Sequence, residues 1–278
     1  MSKFFKVIVH NDVSSPNLLG ICAGYENKCW RADQLVDYIF EFLPEFALNQ
    51  TELENFTSLN VVGKIRKAAS AVYQTEKFRN RGEFGELLLH SIIRETKDTI
   101  PAISKIYYKD GPNETVKGFD AVHVVVNNDD LELWLGEVKF YQNIYNAISD
   151  VITELEEHSE SKYLKNEFIA ISNKIDNSWK HAERLKNLLD PKTSLDDVFD
   201  SIVIPVLLTY DSKIIEKHEK FTDDYVDEIK SELERLHNNF SNKIGDFPLT
   251  VHLFLLPLNT KKALVTKLEE KLKVWQSL

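Results

Sequence analysis

Cysteine is scarce: Cys22 and Cys29 are the only two in 278 residues. Two thiols make neither a disulfide framework nor a zinc site of their own. Long apolar runs are missing as well. No stretch approaches the roughly 18 uninterrupted apolar residues of a membrane span. The start, MSKFFKVIVH, has neither the apolar run nor the small-residue cleavage site of a secretory signal. A cytoplasmic protein without a membrane segment is expected. A Gly-rich phosphate loop is lacking, so ATP hydrolysis is not expected of this chain. Low-complexity segments, internal repeats and long Gly/Pro/Ser linkers are absent, and domain boundaries are therefore soft. The eight histidines are scattered without metal-ligand spacing.

What is present suits a soluble α/β protein. Hydrophobic residues make up 43% and charged residues 28% of the chain, enough for a full core. The net charge of −10 is awkward for any protein that handles nucleic acid, because duplex binding draws on Lys and Arg. Most of the excess lies in residues 1–160, at −9. Within that acidic half, Lys64, Arg66, Lys67, Lys77, Arg79 and Arg81 form a basic run broken only by Glu76. It reads either as a solvated helix face or as a patch for phosphate or an acidic partner.

Periodicity orders the elements. Residues around 6–9 and 18–23 suit two short strands, and Leu35, Ile39, Phe42 and Leu43 suit a helix that stops at Pro44. Residues 61–80 and 83–96 read as helices. Strands are expected at Ile103–Lys109, Phe119–Val126 and Leu131–Phe140, each rich in β-branched or aromatic residues. A helix at about 143–157, a strand at Phe168–Ser172 and a helix from Trp179 to Leu189 follow. Ile202–Tyr210 and Val251–Leu256 read as buried strands. Between them, apolar residues recur every three or four positions from Phe221 to Ile244 in one long amphipathic helix. A helix carrying Leu264, Leu268, Leu272 and Trp275 closes the chain. The expectation is a mixed sheet with helices packed on it.

The chemistry concentrates in KGFDAVHVVVNNDDLELWLGEVKF, residues 117–140. With a two-residue turn at Asn128-Asp129, pairing runs 126 with 131, 124 with 133, 122 with 135 and 120 with 137. One face then collects Val122, Val124, Val126, Leu131, Leu133 and Leu135. Asp120 and Glu137 end that face directly opposite each other, with Lys139 two residues on. Like charges opposite each other on a sheet are destabilising, and a shared cation relieves them. Oxygen ligands favour Mg²⁺ or Mn²⁺. Lys139 beside such an ion can orient or help deprotonate an attacking water. E-x-K occurs six times, but only the instance at Glu137 lies in a convincing strand with an acid ending its partner. The plain alternative is an edge ion pair between Glu137 and Lys139, with Asp120 as a turn residue.

The pattern GFD…GEVK resembles the PD-(D/E)xK nuclease superfamily over about residues 80–175, with Gly-Phe in place of Pro before the aspartate. The resemblance implies a restriction-endonuclease-like core of a helix, three antiparallel strands, a helix and a further strand. Asp120 takes the first acidic place, Glu137 the second and Lys139 the lysine place. Many members add an acid from the preceding helix; here GEFGELLLH offers Glu86 as a further metal ligand, or Glu83. His90, one turn after Glu86, could face the site or simply sit buried. Gln142 and Tyr145 resemble the Q-x-x-x-Y of RecB-like nucleases with one residue fewer between them. More narrowly, RGEFGELLLH, KGFDAVHVVV and LWLGEVKFYQN resemble the HamA family, the nuclease subunits of Hachiman anti-phage defence. That resemblance implies a prokaryotic DNA nuclease working with a superfamily-2 helicase. It implies a family-specific region at 1–60 before a nuclease domain at 61–278 with carboxyl-terminal elaborations. Two other readings stay open: a non-catalytic module that senses DNA and docks the helicase, and an RNase toxin on the same fold.

Overall fold

The apolar strands of the middle and carboxyl half of the chain meet in one seven-stranded mixed sheet, ordered β1-β2-β9-β8-β7-β6-β5. The computed structural model describes residues 3–72, 82–104, 118–127 and 130–278. β1 (Lys6–Asn11) and β2 (Asn17–Cys22) form a hairpin, and β3 (Tyr25–Glu26) pairs with β4 (Cys29–Trp30) in a separate ladder. Helices α1 (Ala32–Glu41), α2 (Leu43–Ala47), α3 (Gln50–Glu54) and α4 (Val61–Val72) follow. α5 (Gly82–Lys97) leads into β5 (Ile100–Pro101), β6 (Ala121–Asn127) and β7 (Asp130–Phe140). α6 (Ile144–His158), α7 (Ser161–Lys174), α8 (Ala182–Leu188) and α9 (Leu195–Phe199) precede β8 (Ile202–Asp211). α10 (Lys213–Lys217), α11 (Asp223–Ile244), β9 (Thr250–Leu258) and α12 (Lys261–Gln276) complete the chain.

β7, β8, β9 and β2 run parallel, while β6 and β5 continue the sheet antiparallel from β7 and β1 does so from β2. Parallel strands with both faces covered read as near-continuous apolar runs. β8 fits that rule, with Ile202 to Tyr210 buried throughout. One face packs Val122, Val124, Leu133 and Leu135 against α6, α7 and α11. The other packs Trp134, Val138 and Phe140 against α1, α5 and α12. The result is a three-layer α/β/α arrangement, with the sheet as the middle layer. The amino-terminal hairpin belongs to the same sheet through β2 and β9.

Three sequence expectations need correcting. Phe168–Ser172 is not a strand; it lies within helix α7. Leu164, Phe168 and Ile171 are its buried positions, a spacing of four and three, whereas Ile169 is half exposed. The short apolar run fits either period, and tertiary packing selects the helical one. The strand that extends the core beyond β7 is β8, which begins only at Ile202. Ile103 and Ser104 are not in a strand either, β5 lying just before them, and the rest of the expected Ile103–Lys109 strand falls outside the described residues. Pro44 does not end a helix so much as start the next one, near the amino terminus of α2, where its missing N–H costs nothing.

A buried polar chain crosses from α2 through α5 to the sheet. Thr99 Oγ1 lies 2.8 Å from His123 Nδ1, His123 Nε2 lies 3.0 Å from His90 Nδ1, and His90 Nε2 lies 3.2 Å from Glu45 Oε2. Arg94 Nε donates to the same carboxylate oxygen at 2.8 Å. One assignment of protons satisfies every group with both imidazoles neutral. The Thr99 hydroxyl donates to His123, His123 Nε2–H donates to His90, and His90 Nε2–H donates to Glu45. Burial pushes both imidazoles below their ordinary range; His90 and Arg94 add to this at His123, and the contact with Glu45 opposes it at His90. Burial would raise Glu45, but His90 and Arg94 outweigh it and hold that carboxyl low.

A folded-state imidazole held below its unfolded value of about 6.5 contributes stability that is complete above that pH and lost as pH falls beneath it. Glu45, also held low, adds a further loss below about pH 4.3. Between pH 7 and pH 5 the wild-type protein should therefore lose more unfolding free energy than a His123→Gln variant, measured by urea denaturation. Parallel curves would contradict a neutral His90–His123 pair.

Candidate active site at the end of the β6–β7 hairpin

The hairpin has the register expected from its alternation: Val126 opposite Leu131, Val124 opposite Leu133 and Val122 opposite Leu135, ending at Ala121 opposite Gly136. The expected turn residues Asn128 and Asp129 lie outside the described residues. Beyond Ala121, the Asp120 amide still donates to Gly136 O at 2.7 Å. Asp120 Oδ2 then accepts from the Val138 N–H at 2.9 Å, standing in for the ladder partner that β6 no longer supplies. Asp120 thus sits beside Glu137, near the carboxyl end of β7, the end at which open α/β sheets gather ligands.

Glu137 and Lys139 are both buried, at 2% and 8% exposure, on the β7 face that packs on α6. Their partners come from that helix. His158 Nδ1–H donates to Glu137 Oε1 at 2.7 Å, and the Lys139 ammonium pairs with Glu154. The His158 ring stacks on Tyr163 with centroids 4.2 Å apart and meets Phe119 edge-on at 5.1 Å. Burial, reinforced by the Asp120 and Glu154 charges, pushes the Glu137 carboxyl well up, against the His158 hydrogen bond. Burial alone would lower His158, but Glu137, Glu154 and Glu167 outweigh it and favour the imidazolium. Burial would also lower Lys139; Glu154, then Glu137 and Asp120, outweigh it and keep it an ammonium. Lys139 is therefore suited to positioning water or phosphate by charge rather than to accepting a proton.

Glycines shape the surroundings. A Cβ on Gly136 would lie 2.8 Å from Leu89 Cδ2 and 3.0 Å from Ala121 Cβ, and one on Gly85 would lie 2.9 Å from Phe140 Cβ. Both let α5 approach β7 closely. This contact puts α5 on the Val138 and Phe140 face, across the sheet from Glu137 and Lys139. Glu86 and Glu83 are both half-buried near the start of that helix, Glu83 in its first turn. His90, farther along α5, belongs to the buried chain with His123 and Glu45. Gln142 donates to Asp211 at 3.2 Å, and the Tyr145 hydroxyl accepts from Arg235 at 2.6 Å. In the basic run, Lys67 pairs with Glu52, Lys64 donates to the Glu52 carbonyl and Arg66 donates to the Leu278 carbonyl at 3.1 Å. Lys77, Arg79 and Arg81 lie outside the described residues.

Glu154 and His158 are the site residues that inspection of the sequence missed. Their signal was present: an acid and a histidine four apart, on the helix that follows the E-x-K strand, share one face. The donor set suits a hard divalent cation. Asp120 and Glu137 offer carboxylate oxygens, and the Glu137 carboxyl is disfavoured as an anion until a cation compensates it. Among the described residues, no three or more of His, Cys, Asp and Glu converge as a metal-holding group. Two carboxylates, with water and phosphate oxygens filling the other positions, is how Mg²⁺ is commonly held.

A mixed sheet between helix layers, with D…E-x-K at the end of the β6–β7 hairpin, is an α/β fold consistent with a nuclease-like core. The HamA family model matches residues 2–272. The chain belongs to the HamA family, and so to Hachiman anti-phage defence. A search of curated proteins finds no match. Among the described residues, no helix is long and apolar enough to cross a membrane.

The segment before Asp120 is conformationally demanding. Gly118 has φ +146°, and a Cβ there would lie 2.7 Å from Glu167 Oε2. Gly118→Ala should cost about 1–3 kcal/mol for the strained backbone, read by urea denaturation. An unchanged midpoint would show that the chain can enter β6 without this conformation.

Proposed function

We propose that the chain is a metal-dependent DNA nuclease, the effector of a two-component defence system, with Asp120, Glu137 and Lys139 as its catalytic residues. The observation that carries this reading is the pair of carboxylates at the end of paired strands, one of them buried, beside a buried ammonium. A bound Mg²⁺ or Mn²⁺ supplies the Lewis acid for phosphodiester hydrolysis. Asp120 and Glu137 would hold it through carboxylate oxygens; Glu86, the further acid of the family pattern, is carried by α5, which packs on the opposite face of the sheet. Lys139, kept charged, orients the attacking water and counters charge developing on the phosphate. His158 fixes the Glu137 carboxylate, and burial of the site keeps its fields strong.

Charge bears on how DNA arrives. At −10 the protein repels free duplex at long range, so delivery by a partner that itself binds DNA fits better than unaided capture. The family pattern suggests a superfamily-2 helicase in that role. An acidic nuclease docked on a basic helicase is also restrained until the helicase engages foreign or damaged DNA. The basic run from Lys64 to Arg81 then serves as a local contact for phosphate.

The test is Mg²⁺-dependent nicking of plasmid DNA by the purified chain, alone and mixed with the helicase of its system, with RNA as a parallel substrate. Asp120→Ala and Glu137→Ala should abolish cleavage, and Lys139→Ala should lower it by about 10²-fold or more. The helicase should co-purify and suppress cleavage until DNA is added. Full activity in either acid variant would remove the site assignment. Cleavage of RNA alone would establish the toxin reading, and binding without cleavage would establish the sensing module.

A further inference from the structure

Glu137 and Lys139 are two residues apart on one face of a strand, which sets their α-carbons about 7 Å apart. A lysine side chain spans that distance, so the simplest outcome is an internal ion pair in which the ammonium neutralises the acid. The structure shows a different arrangement. Lys139 Nζ bonds Glu154, and Glu137 Oε1 bonds His158 Nδ1. Both partners project from α6, one helical turn apart. The rotation of α6 is set by Ile144, Ala147, Ile148, Val151, Ile152 and Leu155, all buried against the sheet and its neighbours. The helix therefore presents an anion to the lysine and a donor to the glutamate at fixed positions.

We propose that Glu154 is a positioning residue of the site, holding the Lys139 ammonium away from Asp120 and Glu137 so that their oxygens stay open to a divalent cation. The inference rests on the nuclease reading above and assigns to α6 a task beyond packing. Glu154 suits the task better than it suits metal ligation. Its oxygen is already committed to Lys139, and its side chain is 39% exposed while that of Glu137 is 2% exposed. His158 completes the division of charge from the same helix face and is itself held by Tyr163 and Phe119. Without Glu154, the nearest anions left to Lys139 are the carboxylates of Asp120 and Glu137, the two whose charges already act on it. A lysine drawn onto them would compete with a cation for the same oxygens.

The experiment is calorimetric titration of Mn²⁺ into the full chain without DNA, in a double-mutant cycle. Wild type should bind Mn²⁺, and Asp120→Ala should not. Glu154→Gln, nearly isosteric at a partly exposed position, should weaken binding about tenfold, the scale for loss of a supporting partner behind a metal ligand. Lys139→Met should bind at least as tightly as wild type. The decisive variant is Lys139→Met/Glu154→Gln. With no ammonium left to be misplaced, it should bind as Lys139→Met does. An equal loss from Glu154→Gln in both backgrounds would make Glu154 a ligand and overturn the inference while leaving the site intact. No loss in either background would overturn it as well. Absence of Asp120-dependent Mn²⁺ binding in wild type would overturn the nuclease reading and this inference with it.

Discussion

The burial of the Glu137 carboxylate beside Asp120 is the constraint around which the rest of the site is arranged. A carboxylate that is 2% exposed, with a second one alongside, is unfavourable unless positive charge or hydrogen-bond donors meet it. The Val138 amide meets Asp120, the His158 imidazole meets Glu137, and the Lys139 ammonium sits two residues along the strand with its own anion, Glu154. Each of these depends on the packing around it. α6 must lie flat on β7, β8 must pair with β7 on the side away from β6, and α5 must come close enough on the other face to seal it. An apolar pair at positions 137 and 139 would pack into such a core at lower electrostatic cost. Buried charges at both positions are what the proposed site would require.

Much of this was legible before the fold was known, for a definite reason. The β6–β7 hairpin alternates apolar and polar residues over enough positions that a slip of one would expose six apolar side chains, so its register follows from pattern. The same holds for α11, where Tyr225, Ile229, Leu233, Leu236 and Phe240 keep one buried stripe. What pattern could not resolve was the short apolar run at Phe168–Ser172, which fits both periods and became part of α7. Nor could it pair β2 with β9, more than two hundred residues apart, since long-range parallel pairing leaves no local trace. Glu154 and His158 escaped because their meaning depends on how α6 is rotated over the sheet.

The acidity of the chain and the site it surrounds act together. Exposed carboxylates set a repulsive field toward polyanions, while Asp120, Glu137, Glu154 and Glu167 deepen the local demand for cations at one sheet end. On the proposed reading, a protein so charged would gain a divalent ion more readily than it would gain DNA. In a Hachiman defence protein, the effector proposed above would then be loaded with metal in advance and supplied with its substrate by a partner.

On the proposed reading, Asp120 and Glu137 together hold a divalent cation. Its most direct test is anomalous diffraction from crystals grown with Mn²⁺, collected at the manganese edge. A peak is expected about 2.0–2.2 Å from an oxygen of each carboxylate, the range for a hard cation of this size, with Lys139 Nζ still on Glu154. A saturated crystal with no peak between the two carboxylates, or with Lys139 bonded directly to Glu137, would contradict it.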